Sequence, residues 1–131
     1  MLKKSRILAL LAVAALAVCA FAAGSAGAKG SAASASKTCG ITGHQTDYGH
    51  NMYLDALAVR STSCAKGKAV VNGYTACRYK HGGLNGTCPN RVQTFKCHEG
   101  KRTIAPHIQY SVAVGCRHGG KIIRFTYTQQ V

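Results

Sequence analysis

Residues 108–127 read IQYSVAVGCRHGGKIIRFTY, and this run sets the architecture expected of the chain. Ile108, Tyr110, Val112, Val114 and Cys116 alternate with Gln109, Ser111, Ala113 and Gly115, the period of a strand with one buried face. Arg117-His118-Gly119-Gly120 breaks the pattern with two glycines suited to the positive φ angles of a tight reversal. From Lys121 to Thr128 the alternation resumes, with Ile123, Phe125 and Tyr127 on one side and Arg124, Thr126 and Thr128 on the other. The sequence therefore predicts a β-hairpin with a cysteine at the turn end of its first strand.

Upstream segments supply partners for that hairpin. Over residues 53–59, Tyr53, Asp55, Leu57 and Val59 alternate with Leu54, Ala56 and Ala58, which predicts a strand. Ser61-Thr62-Ser63 offers N-cap hydroxyls for a short helix over residues 64–72. Cys64, Val71 and Tyr74 would share one face of it, Lys66 and Lys68 would lie outside, and Gly73 would end it. Residues 74–89 enclose His81-Gly82-Gly83-Leu84-Asn85-Gly86 and read as a loop, while residues 91–97 give a further strand through Val92 and Phe95. Residues 98–106 turn into the hairpin. The expected fold class is α+β, an antiparallel sheet of three to four strands with one short helix packed on it.

The ends read differently. Lys3, Lys4 and Arg6 precede an uncharged apolar run from residue 7 to 23, and Ala26-Gly27-Ala28 offers small residues for a signal peptidase. A cleaved signal peptide over residues 1–28 is expected in preference to a retained anchor, because the run is at the short limit for a span. Residues 29–38, rich in Gly, Ala and Ser, read as a flexible tether, and residues 39–131 as one domain. Cleavage removes Cys19 and leaves Cys39, Cys64, Cys77, Cys88, Cys97 and Cys116. An even count in an exported chain predicts a disulfide framework, and the lack of any C-x-x-C pair weighs against a thiolate metal site. Secretion or cell-wall association follows as the expected location.

Charge bounds the partners. The chain carries 17 basic residues against Asp47, Asp55 and Glu99, a net charge of +14; cleavage removes three cations and leaves +11. Such a field attracts polyanions such as teichoic acid, nucleic acid or acidic polysaccharide, although it also simply keeps a secreted protein soluble.

The order Leu57-x-x-Arg60-x-x-Ser63-Cys64, Phe95-x-Cys97, Val114-x-Cys116-x-x-Gly119 and Ile123-x-Phe125 resembles small exported cysteine-rich domains of unknown function predicted in actinobacterial genomes. The resemblance covers residues 39–128 and implies secretion, disulfides and an α+β fold, with no catalytic activity. Phe95-Lys96-Cys97 lacks the glycine usual before the aromatic, and Cys77 with Cys88 looks like an added pair, so these two are expected to bond to each other. The remaining four cysteines allow three pairings; beside the resemblance, the reading leans to Cys64–Cys97 and Cys39–Cys116.

Candidate chemistry is sparse. His44, Asp47 and His50 stand three apart and could ligate zinc or copper, but they lie in a glycine-flanked polar loop. The polyanion reading rests on Arg78, Lys80, Arg117, Lys121 and Arg124, with Lys96, Lys101 and Arg102 in support; Arg117, Lys121 and Arg124 surround one hairpin. A small hydrolase such as a nuclease is the alternative, drawing on His44, His50, His81, His98, His107 and His118, with Glu99 as the one plausible acid partner in the folded half and few acids in all to orient an imidazole. An inhibitor presenting Lys80-His81-Gly82-Gly83 to a protease would have to order many glycines, at an entropic cost. No nucleophile-elbow, paired-carboxylate or phosphate-loop motif occurs, and no cofactor is expected.

Overall fold

The computed structural model describes residues 34–41, 46–105 and 108–131. The expected signal peptide, the first half of the tether, His44 and His107 lie outside them. The described chain is mostly sheet, which corrects the expected α+β class with its three or four strands. Eight strands form one antiparallel sheet: β1 (Lys37–Thr38), β2 (Thr46–Asp47), β3 (Met52–Arg60), β4 (Arg91–Val92), β5 (Phe95–Glu99), β6 (Thr103–Ala105), β7 (Gln109–His118) and β8 (Lys121–Gln130). Their spatial order is β1-β3-β8-β7-β5-β4, with β2 also on β3 and β6 also on β7.

The hairpin at the centre is the expected one, with longer strands. β7 and β8 pair from Gln109↔Gln130 to His118↔Lys121, so only Gly119 and Gly120 form the turn. Gly119 takes φ +55°, the left-handed region that a Cβ disfavours. β3 then pairs with β8 through a β-bulge between Leu54 and Ala56. That extra residue lets Met52 and Leu54 share the buried side with Leu57 and Val59, so Tyr53 leaves the face that strict alternation assigned it. Residues 91–97 are two strands, not one. Gln93 and Thr94, at φ 45° and 75°, turn β4 back on β5, a two-residue reversal with both φ angles positive. Lys37 and Thr38, expected in the tether, pair with Val59 and Ala58 as β1.

The single described α-helix, α1 (Cys64–Lys80), has 17 residues and takes up the first part, residues 74–80, of the segment expected to be a loop. Ser63 caps it, its Oγ accepting from Lys66 N at 3.1 Å, and Arg78 and Lys80 sit favourably in its last turn. Gly67, Val70, Val71, Tyr74, Thr75 and Arg78 are its buried side, the 3-and-4 spacing of one helix face. Gly73 is not a stop. A Cβ there would come within 2.7 Å of Val92 Cγ1, and one at Gly67 within 2.9 Å of Val59 Cγ1, so both glycines let α1 lie close to the sheet. The core between helix and sheet holds Leu54, Leu57, Val59, Phe95, Val112, Val114, Ile123, Phe125 and Tyr127.

Three disulfides close the domain. Cys77–Cys88 forms as expected. The leaning toward Cys64–Cys97 and Cys39–Cys116 is overturned: the bonds are Cys39–Cys64 and Cys97–Cys116. The reason is register, since Cys97 and Cys116 stand directly opposite on β5 and β7 with Cα atoms 4.0 Å apart. Among the described residues no helix is long and apolar enough to cross a membrane.

Candidate functional site

One face of the sheet carries α1; the other, called here the open face, carries no described helix, with Ser34 and Ser36 beside Arg60 and Arg124 at one margin. The register places side chains on that open face in transverse rows, because directly opposed residues of antiparallel strands share a side. One row runs Arg60 (β3), Ile122 (β8), Arg117 (β7), Lys96 (β5) and Arg91 (β4). The next runs Thr38 (β1), Ala58 (β3), Arg124 (β8), Gly115 (β7) and His98 (β5). Arg91, Lys96, His98, Arg117 and Arg124 are exposed and Arg60 is half-buried.

Beyond these rows the face becomes small. Ala56, Thr126 and Ala113 line up across β3, β8 and β7, and with Ala58, Gly115 and Arg124 they border a shallow depression of about 440 Å³. A second, of about 420 Å³, is bordered by Lys96, His98, Gly115 and Arg117. Gly115 belongs to both. With no side chain, it leaves a gap in that row between Arg124 and His98.

Asp55 and Glu99 do not interrupt the cations. Asp55 lies toward the far end of the open face, where its Oδ2 accepts from Thr128 Oγ1 at 2.7 Å. Thr128 is four residues along β8 from Arg124, a distance of about 13 Å. Glu99 faces inward.

The expected site residues therefore divide. Arg117 and Arg124 come together on the open face. Lys121 stands at the hairpin tip opposite His118, and Lys80 ends α1 on the helix side of the sheet. Arg78 is removed from the set altogether, because it is fully buried. Arg60 and Arg91 join the face without having been singled out as binding cations, and His98, weighed before only for acid–base chemistry, joins with them; the signal that gathers them is strand order, which a linear reading lacks.

Arg78 instead centres an interior network. Its guanidinium donates to Tyr110 Oη at 2.5 Å, Tyr127 Oη at 2.8 Å, Gln129 Oε1 at 2.5 Å and Leu84 O at 3.3 Å. Tyr127 Oη donates onward to Glu99, which pairs with Arg102 at 3.0 Å. Arg102 in turn holds the carbonyls of Asn85 and Gly86. Burial, reinforced by the Glu99 carboxylate, pushes the Tyr127 and Tyr74 phenols far above the usual tyrosine range. This network fastens the end of α1 and the following segment to β5, β7 and β8, with Arg78 sealed from solvent.

That geometry works against acid–base chemistry between His98 and Glu99. Adjacent on β5, they point to opposite faces of the sheet. The other described histidines are dispersed: His50 stacks on Tyr79 with ring centres 3.6 Å apart, His81 meets Asn90 at 3.1 Å, and His118 lies against Phe95. Among the described residues no three metal-ligating side chains gather, and His44, one of the expected trio, lies outside them. Residues 80–83 form no protruding inhibitory loop, since Lys80 is helical and His81 caps the helix.

No family model, no curated protein and no solved structure matches the chain.

Proposed function

We propose that this domain acts by binding, holding an anionic extracellular or cell-surface polymer against the open face of its sheet. The observation that carries the reading is the row Arg60, Arg117, Lys96 and Arg91, backed by Arg124 and His98, with Asp55 and Glu99 elsewhere. Cations converging from five strands onto one side make a field that a surface of mixed charge would cancel. The three disulfides are consistent with an oxidising compartment, which supports export and a partner outside the cell or in its wall.

Retention on immobilised heparin or DNA, eluted by a salt gradient, tests the proposal. Charge reversal at Lys96 and Arg117 is expected to move elution to markedly lower salt, and reversal at Lys66 and Lys68 on α1 to move it less. Equal shifts for both pairs would mean that net charge alone is being read and would sink the assignment to this face.

A further inference from the structure

Resting on that reading, we infer that the polymer is a linear phosphodiester recognised through its backbone alone, lying across the strands from Arg91 to Arg60. Arg91, Lys96 and Arg117 stand on neighbouring strands and step sideways at the strand spacing of about 4.8 Å, Ile122 of β8 separates them from Arg60, and the row spans about 19 Å from β4 to β3. A chain crossing the strands meets them in succession, whereas one lying along a single strand meets one or two.

The chemistry of the face favours phosphate. Most of its cations are guanidiniums, whose planar forks match pairs of phosphate oxygens. Base recognition and sugar recognition both draw on aromatic platforms. Here, among the described residues, Tyr53 is the one phenol or phenyl ring in register on the open face, in the row Tyr53, Thr128 and Ser111 at the end away from the cations. Phe95, Phe125, Tyr110 and Tyr127 are all committed to the core. The surface thus offers charge and close approach to backbone at Gly115, with the single His98 imidazole in place of a row of aromatic platforms.

Rigidity is supplied from beneath. The Cys97–Cys116 bond lies on the helix side of β5 and β7, and its flanking residues Lys96, His98, Gly115 and Arg117 are the border of the second depression. Preformed spacing lowers the ordering cost of binding.

The test is fluorescence anisotropy of the full chain with three probes: an abasic phosphodiester strand, oligo-dT of equal length, and labelled heparin. The abasic strand and oligo-dT are expected to bind within about threefold of each other. For about five phosphates contacted, log K against log salt should fall with a slope of about −3.5, and Lys96→Ala or Arg117→Ala should each lessen it by about 0.7. Oligo-dT binding more than tenfold tighter than the abasic strand overturns backbone-only recognition. Heparin binding without either strand overturns the phosphodiester while leaving the basic face intact as a binding site. If none of the three binds, this inference and the binding function fall together.

Discussion

Tyr127 joins the two charged halves of the domain's interior: its hydroxyl accepts from Arg78 at 2.8 Å and donates to Glu99, which is paired with Arg102. A buried guanidinium is costly to desolvate, and what offsets the cost here is the set of acceptors around its two terminal nitrogens, Nε being left without a partner.

Arg78→Ala is therefore expected to destabilise the domain by about 3–5 kcal/mol in urea unfolding, because Tyr110, Tyr127 and Gln129 lose a shared donor inside the core. Arg78→Lys should recover only part of that, since one ammonium cannot serve acceptors arranged around a planar fork. A loss below about 1 kcal/mol for the alanine variant contradicts the structural role.

Stability should fall in alkali. Burial, then Glu99, raises the folded-state pKa of Tyr127 and Tyr74, so the fold holds these phenolic protons more tightly than the unfolded chain does. The corresponding stabilisation is complete below the unfolded phenol's pKa of about 10 and drains away as pH rises above it. Near-ultraviolet phenolate absorbance should show these two tyrosines ionising only as circular dichroism reports unfolding. All phenols titrating smoothly in an intact fold is the contrary result.

Replacing Cys97 and Cys116 by serine should cost about 3 kcal/mol, close to the cost of removing Cys77 and Cys88, because the loops closed are of similar length. Polyanion affinity should separate the two variants. It is expected to drop for the pair beneath the open face and to hold for the pair near the end of α1. Equal losses would detach the disulfide from the site.

Gly73→Ala should destabilise by about 1–3 kcal/mol even though alanine is the better helix former, since the new methyl meets Val92 Cγ1 within 2.7 Å. Truncating the neighbour as well, with Val92→Ala, should bring the two changes closer to compatible in a double-mutant cycle. A stabilised single variant would show that the helix stands farther from β4.

The central hairpin was legible because ten-residue strands leave a clear period-2 trace. The outer strands were not: β1, β2 and β4 have two residues each and β6 three, too few to show any period. The helix was read only to Gly73, because glycine signals a stop locally and a close contact only once Val92 is in place. Arg78 reads as surface in any composition, and its burial depends on Tyr110, Tyr127 and Gln129 arriving from the far end of the chain. The cationic face depends on the order β3-β8-β7-β5-β4, which brings residue 60 into line with residues 117, 96 and 91.

Those stub-like outer strands bear on how copies of the protein tolerate crowding. A sheet margin only two or three residues long exposes too few unpaired amides and carbonyls to zip onto a neighbour, and Lys37 and Arg91 put a repelling charge on β1 and β4. Molecules gathered side by side along one thread would remain separate, free to let go one at a time.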